Sequence, residues 1–181
     1  MSAAPPRYAV LTGAPGAGKT TLLDAAAAAG FATSPEVARA LLRQPGGMDL
    51  RETDPVGFAE AMLEAHVREF EGHEDRSGPV LFDRGFPDVV GFLEVSGLAV
   101  PRSIDQACRT LRYSGPILRA PAWSAIYRQD HERIQTWDQA VASDEAVTAA
   151  WQRYAYAVID LPLVGVGERL AFLSDQLHPA A

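Results

Sequence analysis

At 181 residues, 48% of them hydrophobic and 22% charged, the chain has the size of one domain able to bury its own core, and residues 1–181 read as a single unit. A formal charge of −7 argues against nucleic acid as a partner, because such binding draws on many Lys and Arg contacts to phosphates. The lone Cys108 excludes an internal disulfide and any Cys-based zinc site, which suits a reducing cytoplasm, and the absence of a leader-like start or a long uncharged apolar run predicts neither signal peptide nor membrane span.

Residues 8–12 read as a buried first strand. They lead into Gly13, Ala14, Pro15, Gly16, Ala17, Gly18, Lys19, Thr20 and Thr21, which fit G-x-x-x-x-G-K-[ST]. An Ala- and Leu-rich helical run, residues 19–29, follows and is closed by Gly30. In that setting the glycines let backbone N–H groups turn toward one anion, and the helix presents its positive end to the same point. Lys19 would reach the β- and γ-phosphates of ATP and the Thr20 hydroxyl would hold Mg²⁺. Lys19 is the only lysine among sixteen basic residues, and a compact ammonium fits a phosphate cradle where a planar guanidinium would not. The bland competitor is a glycine-rich turn that happens to precede a helix.

Residues 31–34 predict a short second strand, followed by a helix opening at Pro35 and running to about residue 44. Glu36 would be a general base toward an acceptor hydroxyl, with Arg39 one turn along as a substrate contact; alternatively it is an acid favouring the helix dipole. The glycine-containing stretch 45–53 predicts a mobile loop. A helix capped by Asp54 and reaching residue 71 follows, with Phe58, Met62, Ala65 and Phe70 roughly on one side.

Residues 80–82 form a third buried strand that delivers Asp83 and Arg84 at its end. An acid ending an apolar strand has no packing reason to be there, so Asp83 is assigned to Mg²⁺, directly or through water. Hydrolytic switches commonly place a second acid next; a cation, Arg84, favours transfer to a bound acceptor. Helices are expected over 88–96 and 103–112, the latter with a Ser103/Gln106 capping box, then a strand over 115–118.

From residue 121 to about 139 an arginine-bearing excursion reads as a lid. Arg128 and Arg133, with Arg119 just before it, would neutralise charge on the migrating phosphoryl group, while Trp123, Tyr127 and Trp137 would help it close. A helix from 143 or 144 to 154, a strand over 157–161 and a closing helix with Val166, Leu170, Leu173 and Leu177 on one face complete the chain. Residues 161–165 are placed beside adenine. None of His66, His73, His131 and His178 has ligand spacing, and all read as ordinary helix or surface residues, with His131 noted only for its place in the lid. Strands alternating with helices predict an α/β P-loop NTPase fold: five parallel strands, helices on both faces, and the ligand at the C-terminal strand ends.

Taken together, Gly13 to Thr21, Pro35-Glu36-Val37-Ala38-Arg39, Phe82-Asp83-Arg84-Gly85-Phe86-Pro87-Asp88, and Pro121 to Trp123 with Ile126 to Asp130 and Arg133 resemble a family of small bacterial AAA-domain ATPases. That family is similar to the ribosylnicotinamide kinase domain of bifunctional NAD-synthesis regulators and, more distantly, to deoxynucleoside and thymidylate kinases. The resemblance implies Glu36 as base, Asp83 as the Mg²⁺-linked acid, Arg84 as a phosphate or substrate contact, and Arg128 and Arg133 as lid residues; Asp88, in the same segment as Arg84, is expected to be a substrate contact. Asp-Arg-Gly replaces the acid-Arg-Ser or Asp-Arg-Tyr of those kinases, and Glu36 follows the proline that it precedes in deoxynucleoside kinases, so the acceptor's identity does not carry over. The expected activity is transfer of the γ-phosphoryl of ATP to a small hydroxyl-bearing or phosphorylated acceptor, with a nucleoside-like molecule as one candidate. The alternatives are an ATP-hydrolysing regulatory switch and a nucleotide-binding scaffold without turnover.

Overall fold

The computed structural model describes residues 7–128 and 135–178. In chain order the elements are β1 (Arg7–Gly13), α1 (Lys19–Ala28), β2 (Ala32–Ser34), α2 (Val37–Leu42), α3 (Gly47–Thr53), α4 (Pro55–Glu71) and β3 (Pro79–Asp83). They continue as α5 (Phe86–Val95), α6 (Arg102–Thr110), β4 (Ile117–Ala120), α7 (Trp137–Arg153), β5 (Val158–Asp160) and α8 (Val166–Leu177).

The strands form one parallel sheet in the order β2-β3-β1-β4-β5, as the strand–helix alternation requires. β1 lies at its centre and is apolar on both faces because both are covered. Its alternating side chains feed two cores. Tyr8 and Val10 join Phe82, Ile117 and the helices α4, α5 and α7, whereas Ala9 and Leu11 join Leu118 and the helices α1 and α8. Each large aliphatic or aromatic side chain so buried contributes about 1.5–3 kcal/mol. Cys108 is buried in the first of these cores. Among the described residues no helix is long and apolar enough to cross a membrane.

Several boundaries differ from the sequence reading for identifiable reasons. The stretch expected as a mobile loop contains α3, because Gly47 lets the chain pack directly on Leu41, whose carbonyl oxygen a Cβ would meet at 2.0 Å. α2 begins at Val37, with Glu36 rather than Pro35 at its boundary. α5 begins two residues early, since Asp88 folds back to accept a hydrogen bond from the Gly85 amide at 3.0 Å. The Ser103/Gln106 capping box does not form; α6 starts from Pro101. The effective box is Thr136/Gln139, with reciprocal bonds of 2.9 and 3.3 Å, so α7 starts at Trp137 and the excursion shortens to 121–136. Strand β4 is shifted two residues later than expected, and β5 is shorter.

Candidate active site

The C-terminal edge of the sheet carries the site. Gly13 ends β1 at φ 111°, and a Cβ there would lie 2.3 Å from the carbonyl oxygen of Ala120 in β4, so only glycine permits the approach. The Ala14 amide donates to that same oxygen at 3.0 Å. Gly16 (φ 76°) and Gly18 (φ 81°) turn the loop, and α1 begins with no side-chain cap on its N-terminus. Its first amides are the uncapped donors to which an anion binds. The buried Lys19 ammonium lies within this loop, donating to the carbonyls of Gly13 (3.2 Å) and Ala14 (2.5 Å). Burial lowers its pKa to about 7, Arg84 adds to that, and Asp83, Glu36 and Asp88 oppose it. Thr20 and Thr21 are exposed at the helix start.

Parallel pairing of β1 with β3 sets Leu11 opposite Asp83, so the strand end delivers the acid beside the loop. Asp83 is 6% exposed and its Oδ1 has no hydrogen-bond partner. Burial, then the neighbouring Glu36, raises its pKa to about 6, against the pull of Arg84 and Lys19. Asp83 and Thr20 line the same cavity. Among the described residues no three His, Cys, Asp or Glu side chains form a self-sufficient metal site. A hydroxyl and one orphaned carboxylate oxygen suit Mg²⁺, which takes few protein ligands and shares the rest with phosphates and water.

Arg84 follows in a left-handed conformation (φ 68°), rare for a residue with a side chain and typical of constrained sites. Its amide donates to Leu11 at 2.9 Å, closing the turn. The guanidinium reaches Asp88 at 3.0 Å, the Gly13 carbonyl at 3.3 Å and Glu36 at 3.6 Å. Glu36 also pairs with Arg39 at 3.2 Å. Burial works to raise the Glu36 pKa, but Arg84, Lys19 and Arg39 outweigh it and hold the carboxylate low.

Asp88, expected as a substrate contact, lines the cavity and is bonded within the protein. Its Oδ1 accepts from the Thr12 hydroxyl (2.6 Å) and Arg84, and its Oδ2 from the Gly85 amide and the Trp151 indole (both 3.0 Å). With both oxygens engaged inside the protein, it orients Arg84. Arg119 likewise is no lid residue: it grips Asp144 at 2.8 and 2.9 Å and Asp160 at 3.1 Å, joining β4, α7 and β5. Arg128 lines the cavity and donates to the Tyr127 carbonyl at 2.7 Å. Arg133 and His131 lie outside the described residues.

Two residues passed over in the sequence belong here. Arg169, on α8, is 3% exposed and donates to the loop carbonyl of Ala17 at 2.7 Å and to Pro162 at 2.8 Å, with its guanidinium 4.8 Å over the Trp123 ring. Its Nη2 is buried without a partner. The signal was a cation falling between Val166 and Leu173 on the apolar face of the closing helix. His66 sits one turn beyond Met62 and two beyond Phe58 on α4, 3% exposed and turned to the cavity.

That cavity, about 1030 Å³, runs from the phosphate loop past Glu36, Asp83 and Arg84 into a slot walled by α4 and α5. Val164, Gly165 and Arg169 line its loop end, where residues 161–165 were expected to border adenine.

A sequence-family profile described as an AAA domain matches residues 8–169. A comparison with curated proteins finds no match. Among solved structures the chain is similar to deoxyadenosine kinase from M. mycoides with bound dATP, at TM-score 0.70 and 13% identity, covering 94% of this chain and 98% of that one. It is similar to NadR protein in complex with NR, at 0.67 and 16%, covering 95% of this chain and 50% of the other, so it spans half of that protein's length. Thymidylate kinase from Candida albicans matches at 0.63 and 10%, with 97% and 92% covered. At such identities the likeness is one of fold, and the fold is that of P-loop NTPases.

Proposed function

The chain belongs to the AAA-domain family, and from that premise we propose that it is a P-loop kinase transferring the γ-phosphoryl of ATP to a small-molecule acceptor, with a nucleoside-like molecule as the candidate. The observation that carries this reading is the continuous cavity of about 1030 Å³: beyond the phosphate loop lies room for a second molecule, which hydrolysis does not need. Kinases among the structures of similar fold support it.

The triphosphate would lie against the amides of residues 13–21, with Lys19 on the β- and γ-phosphates and Arg169 and residues 164–165 toward the base. Mg²⁺, held by Thr20 and through water by Asp83, would offset phosphate charge. Glu36 takes the proton of the acceptor hydroxyl as its oxygen bonds to the γ-phosphorus and the bond to the leaving ADP oxygen breaks. A carboxylate of low pKa suffices, because the transition state is loose and little basicity is demanded. Arg84, fixed by Asp88, and Arg128 would stabilise charge on the group in flight, with Arg39 and Arg84 at the acceptor. Arg133 keeps its proposed lid role.

The second reading, an ATP-hydrolysing switch, is disfavoured by Arg84 standing where a water-activating acid would be. ATP consumption measured across a metabolite panel tests the choice. A sharp rise with one acceptor class is expected; the same turnover with and without every acceptor would establish hydrolysis.

A further inference from the structure

An imidazole that lines a cavity and makes no hydrogen bond within the protein can bond to whatever occupies that cavity. His66 is such a group. It is 3% exposed, lines the cavity, touches the Phe86 ring edge-on at 6.1 Å, and forms no hydrogen bond with any described residue. Phe58, Met62 and His66 recur every fourth residue and form one stripe of α4. Val89 and Phe92 of α5 close the slot opposite, with Phe58 and Phe92 meeting edge to face at 5.7 Å. These walls are apolar and carry two phenyl rings. His66 is the polar group of the α4 wall, at the end of its stripe. Asp88, Arg84 and Glu36 line the same cavity as His66.

We propose that this slot takes the apolar, ring-sized body of the acceptor and that His66 supplies the directional hydrogen bond selecting it. The inference rests on the phosphotransfer reading and adds to it a substrate class and a specificity residue. The acceptor is an alcohol on an aromatic or heterocyclic body, with a hydrogen-bonding ring or exocyclic atom reaching His66. Low pKa keeps the imidazole neutral, so it can donate through one nitrogen and accept through the other. A site built to satisfy such a group rejects analogues lacking the matching atom far more strongly than an apolar pocket distinguishes shapes.

The test uses the full chain loaded with Mg²⁺ and a non-hydrolysable ATP analogue. Imidazole resonances are followed by NMR during titration with adenosine, cytidine, thymidine, 3-pyridinemethanol and its carbocyclic isostere benzyl alcohol. At least one heterocyclic probe is expected to shift the His66 signals, and its affinity should fall at least tenfold in His66→Phe while affinity for the ATP analogue is unchanged. His66→Gln, which keeps a hydrogen-bonding edge, should recover part of the loss and guards against a folding defect in the phenylalanine variant. The proposal is overturned if no probe shifts His66, or if probes bind or are phosphorylated equally by wild type and His66→Phe. A probe that binds at His66 but never accepts phosphate removes the kinase reading and leaves the slot assignment standing.

Discussion

Arg84 and Asp88 stand one helical turn apart, joined at 3.0 Å, and the acid that holds the arginine is itself 6% exposed and bonded to Thr12, Gly85 and Trp151. Removing the charge of a buried, fully engaged partner strands the other. Asp88→Asn should therefore lower the unfolding free energy by about 3 kcal/mol in urea titrations. Turnover should fall as well, because Arg84 loses its anchor.

Lys19→Ala should abolish ATP consumption and leave the circular dichroism spectrum and melting temperature near those of wild type. Its ammonium is buried at a cost that lowers its pKa to about 7, so the folded state loses little when it goes. A loss of fold rather than of turnover would contradict this.

Two arginines at the cavity should separate kinetically. Arg128→Ala is expected to reduce kcat by about 10²-fold or more with ATP affinity nearly intact, as for a group acting on the migrating phosphoryl. Arg169→Ala, which loses the bond to Ala17 and the stacking on Trp123, should weaken ATP binding and reduce kcat far less. Equal losses in both parameters for Arg128→Ala would mark a ground-state contact.

The imidazole of His66 gives a signed pH effect. Burial lowers its pKa from 6.5 to about 4, so between those values the unfolded chain binds the proton and the folded chain does not. Stability fully present above pH 6.5 is thus lost as pH falls toward 4, by at most about 3 kcal/mol. Stability curves of wild type and His66→Phe should converge or cross in that window. Subtracting one from the other cancels the opposite contribution of Asp83, whose raised pKa makes stability fall as pH rises through the same range.

The order of strands and helices and the phosphate loop were legible because they rest on local pattern: an apolar run, three glycines and a helix with no side-chain cap. Asp83 was legible because its carboxylate interrupts an apolar strand. The bonds of Asp88 and Arg119 were not legible because their partners lie 63 and 25 residues away, and spacing along the chain says nothing about Trp151 or Asp144. Helix α3 was missed because it depends on a backbone-to-backbone approach at Gly47. His66 looked ordinary since a histidine on an apolar helix face reads identically whether it meets protein or cavity.

The two cores on opposite faces of the sheet bear differently on heredity. The walls of the slot belong to the core beneath α4, α5 and α7, while the helix that follows the phosphate loop leans on the other, against α8. Replacements at Phe58, Met62 or Phe92 are therefore absorbed on one side only. Changes to the slot can thus accumulate in descendants of this architecture while the loop at the start of α1 is inherited unaltered.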